Sequence, residues 1–282
     1  MRTLVVTDST AYLPETYAAS LGIAIIPLQV LIGDRSFQEG GEGSEAVLAA
    51  LRSGVMASTS KPSIETFSSI YKRAAEDGFD AVVSVHLSKS MSGTYDSALI
   101  AAAAAPIPVH VVDSQSVGMG LGFAAISAAH AAEEGLPALQ VAQIAHSRAK
   151  ATHSYFTVAD LSALRRSGRI SRGQALLGSA LAIRPILTVE EGEIVAFEKV
   201  RTSTRAIERI EELAVEAAVG KSVDLAVHHL AVPELAASVA EWIQGALVER
   251  AQVSEVILSE VGAVVGAHTG PGMIAVIISP RV

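Results

Sequence analysis

The sequence predicts an α/β protein of two domains, the N-terminal one on a mainly parallel sheet and the C-terminal one on a mixed or antiparallel sheet. Three observations predict it. A chain of 282 residues is long enough to bury two cores. Its first half alternates short β-rich runs with helical stretches, the pattern of strand–helix–strand units. Its second half contains "ILTVEEGEIVAFEKV", two alternating runs around Glu190-Glu191-Gly192-Glu193 that read as a hairpin, a connection that joins antiparallel strands.

Each element has its own warrant. "TLVVT" (Thr3–Thr7) reads as a first strand, and Pro14 suits the opening of a helix, where its missing N–H costs nothing. "IAIIPLQVLI" is a second extended run, made irregular or confined to an edge by Pro27, which cannot donate to a ladder. Ser63 can N-cap a helix reaching about Ala75, with Ile64, Phe67, Ile70 and Tyr71 on its apolar side. Strand "AVVSVHL", a helix ending in "ALIAAAAA" and strand "VHVVD" follow, then two helices over 122–150 that break near Gly135-Leu136-Pro137. The domain boundary is placed at residue 150, giving domains 1–150 and 151–282. After the hairpin come a helix over 204–219, strand "VDLAVHHL", a helix over 233–249, strand "SEVILSEV" and a last strand "MIAVIIS". No internal repeat or low-complexity linker interrupts them.

Composition excludes several functions. Half of the residues are hydrophobic but only 4% are aromatic, so the cores are filled by Ala, Val, Ile and Leu. A net charge of −8 without a dense Lys/Arg run lacks the electrostatic footprint of a nucleic-acid binder. The absence of cysteine excludes disulfides, thiol catalysis and Cys-based metal sites. The apolar run near the N-terminus is too short for a signal peptide. "ALIAAAAAPIPVHVV" is broken by two prolines, and "VGMGLGFAAISAAHAA" falls short of the roughly 20 residues a membrane span needs. A soluble, cytoplasmic protein is expected.

Three hydroxyl-rich segments follow strands: "TDST" (Thr7–Thr10), "LSKSMSGT" (Leu87–Thr94) and "DSQSVGMGLG" (Asp113–Gly122). A fourth, "STSKPS" (Ser58–Ser63), precedes a helix. Ser, Thr and Gly at helix starts have a plain structural role in pairing free backbone N–H groups. Four such loops in one half also suit an anion-binding crevice beyond the strands' carboxyl ends, because helix N-termini attract carboxylates and phosphates. Sharper motifs fail. "GKS" (Gly220–Ser222) has Val215 where a phosphate-binding loop needs glycine, and it precedes a strand. "GMGLG" has Phe123 in place of the third glycine of a dinucleotide fingerprint, and Ser92 lies outside any G-x-S-x-G elbow. His228 and His229 point to opposite faces of a strand and read as structural, while His130 with Glu133 and Glu134 reads as an exposed helix face. No HExxH pattern occurs and no metal is expected. "GAHTGPG" (Gly266–Gly272) is open to two readings, a tight turn with a buried histidine or a loop that brings His268 to a ligand.

Taken together, "TDST..LP", "TSKPS", "MSGTYDSA", "VVDSQSVGMG", "SGRIS", "IRPIL" and "VVGAHTGPG" follow the order and spacing of the DegV family, from Val5 to Ile278. That family includes the fatty-acid-binding subunits of bacterial fatty acid kinase. The resemblance implies a two-domain α/β protein that holds one long-chain fatty acid, its carboxylate between the domains and its tail in an apolar tunnel of the C-terminal domain. Thr59 of "TSKP", Ser92 of "MSGT" and His268 would hold the carboxylate. Ser60 of "TSKP" and Gly93 and Thr94 of "MSGT" would stand on the approach of the head group or the partner. Arg169 and Arg172 of "GRISRG" and Arg201 of "KVRT" would stand on the approach to the head group, Arg169 serving equally well as a tie between domains. The resemblance also implies a kinase catalytic subunit that supplies ATP, transient membrane contact for lipid exchange, no cofactor besides the bound fatty acid, and no catalysis by this chain alone. Two departures stand out. Ser167 precedes Gly168 where many members have two glycines, and Lys61 stands where a neutral polar residue is common.

Physical estimates fit such a ligand. Burying about 14 methylenes offers roughly 11 kcal/mol before entropic costs, whereas each hydrogen bond to a carboxylate contributes about 1.5–3 kcal/mol. The tail would dominate affinity, and the head-group residues would fix orientation. Two alternatives stay open: an acyl hydrolase or transferase using Ser92, His268 and an aspartate such as Asp113, and a binder of some other small anion.

Overall fold

The computed structural model describes residues 1–170 and 183–281, so Arg172 lies outside the described residues. The chain opens with β1 (Thr3–Asp8), α1 (Glu15–Ser20) and β2 (Ala24–Ile26). It continues through β3 (Gln29–Ile32), β4 (Arg35–Gln38), α2 (Ser44–Arg52) and β5 (Ser58–Ser60). Next come α3 (Ile64–Glu76), β6 (Ala81–His86), α4 (Thr94–Ala102) and β7 (Val109–Asp113). The strands β2-β1-β6-β7 form a four-stranded sheet, parallel throughout. Ser63 caps α3 as expected, accepting from Thr66 N at 3.2 Å.

Pro27 does more than roughen a strand. It ends β2, and the chain leaves the parallel sheet to build a separate antiparallel sheet, β4-β3-β5. The single extended run expected from "IAIIPLQVLI" is therefore two strands in two sheets. "STS" before α3 is the edge strand β5 of the smaller sheet, with Thr59 opposite Val30.

Two helices, α5 (Met119–Glu133) and α6 (Ala138–Ala151), form the middle of the molecule. They pack on β1, β6 and β7 on one side and on the C-terminal sheet on the other. This explains the Gly/Ala-rich sequence of α5. Ten of its 15 residues are buried, and a helix covered by two sheets is apolar nearly all round. Small side chains let both sheets approach it closely. Among the described residues, no helix is long and apolar enough to cross a membrane.

The second half supplies β8 (His153–Thr157), α7 (Ser162–Arg166), β9 (Arg184–Glu190), β10 (Glu193–Val200) and α8 (Ser203–Ala218). It ends with β11 (Ser222–His229), α9 (Pro233–Leu247), β12 (Gln252–Glu260), α10 (Ala263–Thr269) and β13 (Ile274–Pro280). Its six-stranded sheet runs β10-β9-β8-β13-β11-β12, antiparallel except for β11–β12. The β9–β10 hairpin turns at Glu191-Gly192, both with positive φ. α8 and α9 cover the face of this sheet that is turned away from α5 and α6.

The largest apolar cluster runs through both halves, joining Val85, Leu121 and Ala128 to Phe156, Leu187 and Met273. Polar ties reinforce it. Arg148 on α6 reaches Ser279 Oγ at 2.6 Å and Asp224 at 2.5 Å, and Arg52 on α2 forks onto Glu260 at the end of β12.

Candidate functional site

Because β1, β6 and β7 are neighbours, the three hydroxyl-rich segments that follow them emerge side by side at one edge of the parallel sheet. Beneath that edge, between the two halves, lies a cavity with about 890 Å³ of unfilled space, part of it open to solvent. Its walls are largely apolar, with Leu28, Leu87 and Val117 from the first half facing Phe156, Val264 and Ile277 from the second.

Thr59, Ser92, Arg169 and His268 all line this cavity. Thr59 Oγ1 and His268 Nε2 lie 2.9 Å apart, a contact between residues separated by 209 positions. Ser92 Oγ pairs with Thr94 Oγ1 at 2.9 Å, and Thr94 is buried in the first turn of α4. The Lys61 stem lies against the Ser92 loop, for a Cβ on Gly93 would lie 2.9 Å from Lys61 Cδ. Glycine at 93 lets the lysine stem lie across the start of α4. Arg169 donates to the carbonyls of Met91 at 3.2 Å and Ser167 at 2.5 Å, so it ties the end of α7 to the Ser92 loop. Ser60 is exposed and Arg201 is exposed on the link from β10 to α8, and neither lines the cavity.

"GAHTGPG" is not wholly a loop. Its first four residues complete α10, and His268 sits in that helix's last turn. Gly270 then takes φ 71° and Gly272 φ 85°, which turns the chain into β13. A helix C-terminus favours a protonated histidine, but burial, assisted by nearby Arg169, pushes the His268 pKa down to about 4. The ring is neutral at neutral pH, with Nδ1 buried and without a partner among the described residues. The hydrolase relay is not assembled. His268 turns Nε2 to Thr59, not Ser92, while Asp113 lies outside the cavity and accepts from Gln115 N and Lys89 N.

α10 owes its position to a residue that no sequence signal marks. Its N-cap, Gly262, has no side chain, and Glu39 caps the helix from the other half of the molecule by accepting from Val264 N at 2.8 Å. Glu39 also accepts from Ser9 Oγ at 2.6 Å and Tyr12 OH at 3.2 Å. Burial raises its pKa, partly opposed by these donors. Glycine at 262 is required for this reach, because a Cβ there would come within 2.2 Å of Glu39 Oε1. Glu39→Ala and Gly262→Ala should each lower stability by about 2 kcal/mol through the lost cap and unpaired donors. Chemical unfolding of the double variant should show much less than the sum; full additivity would disprove the coupling.

His228 also lines the cavity, although the sequence marks it only as structural. On β11 it shares a face with Ala226, and both turn toward α5. Nε2 accepts from Met119 N, the first N–H of α5, at 2.9 Å, so the ring proton is on Nδ1, which donates to Ser259 Oγ at 2.9 Å. Burial pushes the His228 pKa down to about 4. Unfolded histidine titrates near 6.5, so between pH ~6.5 and ~4 only the unfolded chain takes up the proton. Stability is full above that window and falls by about 1.4 kcal/mol per pH unit as the pH is lowered. Urea unfolding should show wild type losing about 2 kcal/mol more than His228→Gln between pH ~6.5 and ~5; equal losses would refute this assignment.

Known proteins resemble the whole chain. The family model described as uncharacterised protein, DegV family, matches residues 2–281. A DegV domain-containing protein of Streptomyces coelicolor is 48% identical over 278 residues, covering 98% of each chain. Two solved structures superpose over the full length of both chains: a fatty-acid-binding DegV family protein of Thermus thermophilus (32% identity, TM-score 0.90) and DegV, a fatty acid binding protein from Bacillus subtilis (33% identity, TM-score 0.87).

Proposed function

The chain belongs to the DegV family, and from that premise we propose that it binds one long-chain fatty acid in the cavity between halves divided near residue 150. The observation that carries this reading is the Thr59–His268 contact, with Ser92 and Arg169, on a largely apolar cavity. The fatty-acid-binding relatives from Thermus thermophilus and Bacillus subtilis support it.

The acid's carboxylate lies against Thr59, Ser92 and His268. Hydroxyl donors hold it without saturating it, which leaves one oxygen available as a nucleophile. Lys61 and Arg169 add positive charge beside these donors, and a bound carboxylate raises the His268 pKa from its ligand-free position. The tail runs between the halves, its walls drawn from both and not from the C-terminal one alone. The chain has no catalytic residue of its own in this reading. It presents the carboxylate to an ATP-binding kinase partner, which forms the acyl phosphate.

The head-group assignment is tested with that kinase. Thr59→Ala, Ser92→Ala and His268→Ala should each lower acyl-phosphate formation about ten-fold or more, since a hydrogen bond to a charged group contributes about 1.5–3 kcal/mol. Binding of the acid should weaken less. Full phosphorylation by all three variants would show that the head group lies elsewhere.

A further inference from the structure

The cavity is not equally apolar along its length. Thr10, Tyr12, Thr59, Ser92, His228 and Thr269 line it, and each has a hydrogen-bond partner within the protein. Among the described residues, His268 keeps a buried, unpartnered Nδ1 at the head-group end, and Ser154 adds a second free group: it lines the cavity and is only 8% exposed, and its hydroxyl, open to the cavity, has no hydrogen-bond partner.

Its position places it away from the head-group residues. On β8, Ser154 pairs with Ile277 of β13, whereas Thr157 pairs with Ile274, next to the turn that follows α10. Ser154 and Thr157 are three positions apart along the strand, about 10 Å. Ser154 Oγ faces the first turn of α5, lying 3.6 Å from the point where a side chain on Gly120 would begin. Gly118, the N-cap of that 15-residue helix, lines the same cavity. The positive end of a helix dipole and an unpaired hydroxyl therefore meet on the distal part of the wall.

An unbranched methylene chain passing this point gives Ser154 nothing to bond. A ligand that covers this hydroxyl without pairing it is bound roughly five- to hundred-fold more weakly than one that pairs it. A chain carrying an oxygen at this depth would pair with Ser154 and lie at the favourable end of α5. We propose that the preferred ligand is a long-chain acid with a hydroxyl group in its distal half, recognised by Ser154. This rests on the fatty-acid reading given above.

The test is displacement of a fluorescent fatty acid from delipidated protein, wild type and Ser154→Ala. The competitors are octadecanoic acid and its hydroxylated forms, with the hydroxyl beside the carboxylate, in mid-chain or near the methyl end. Wild type should bind one of the two distal hydroxy acids at least as tightly as octadecanoic acid, and the acid hydroxylated beside the carboxylate more weakly. Ser154→Ala, which removes only an unpaired hydroxyl, should shift the preference toward octadecanoic acid by about five-fold or more. An unchanged ratio in the two proteins would overturn the proposal and leave Ser154 to bind water. Failure of every acid to displace the probe would instead reject the fatty-acid reading, and the proposal with it.

Discussion

Ala275→Phe should abolish long-chain acid binding while the protein stays folded. Ala275 lies on β13 between Met273 and Ile277, both of which also line the cavity, and it sits opposite Phe156 on one side and His228 on the other. A phenyl ring there projects into the cavity and takes space that the acyl chain would occupy. If the block denies half of ~14 methylenes their place, about 6 kcal/mol of transfer free energy is lost. Affinity should fall at least 1,000-fold by that order-of-magnitude estimate. Overpacking should cost about 1–3 kcal/mol of stability. A displacement titration beside a thermal melt separates the two effects. Retained tight binding would show that the tail takes another path.

The largest loss of stability is expected from Asp8→Ala. Asp8 is fully buried at the end of β1. Its Oδ1 accepts from Thr10 N at 3.1 Å and Thr10 Oγ1 at 2.6 Å, and its Oδ2 from Leu87 N at 3.0 Å, with His86 Nδ1 also 3.0 Å away. The chain continues from His86 Nε2 to Ser84 Oγ at 2.7 Å, which in turn accepts from Tyr71 OH at 2.9 Å. Burial holds the Tyr71 pKa at about 12, so the phenol remains a neutral donor. The Asp–His–Ser order has the look of a hydrolytic triad, but Ser84 is fully buried and outside the cavity. This network instead fixes Thr10 and Leu87, which do line the cavity. Removing the carboxylate strands several buried donors at once and should cost about 3–5 kcal/mol. Urea unfolding measures it, and a loss under about 1 kcal/mol would mean the network is dispensable.

Local patterns made most of the fold legible. Alternation revealed the β9–β10 hairpin, and the capping serine and apolar spacing revealed α3. The hydroxyl-rich loops could be placed beyond strand ends because βαβ order implies a parallel sheet. What stayed hidden depended on distant partners. Thr59 meets His268 only because the small antiparallel sheet presents β5 to α10, and Pro27 gave only half of that rearrangement. Glu39 lies in a Gly-rich stretch with no periodicity, and its role follows from a bare glycine 223 positions later, Gly262. His228 read as structural because its two partners, the N–H of Met119 and the hydroxyl of Ser259, come from other elements. The family motif marked Arg169, which does line the cavity, and Arg201, which does not.

The central claim is that the cavity holds a fatty acid. It is tested most directly by native mass spectrometry of the protein purified without delipidation, followed by solvent extraction and analysis of the released lipid. The account predicts one long-chain acid per chain, released on denaturation and absent from Ala275→Phe prepared in the same way. Recovery of only water-soluble anions, or equal lipid from the blocked variant, would contradict it.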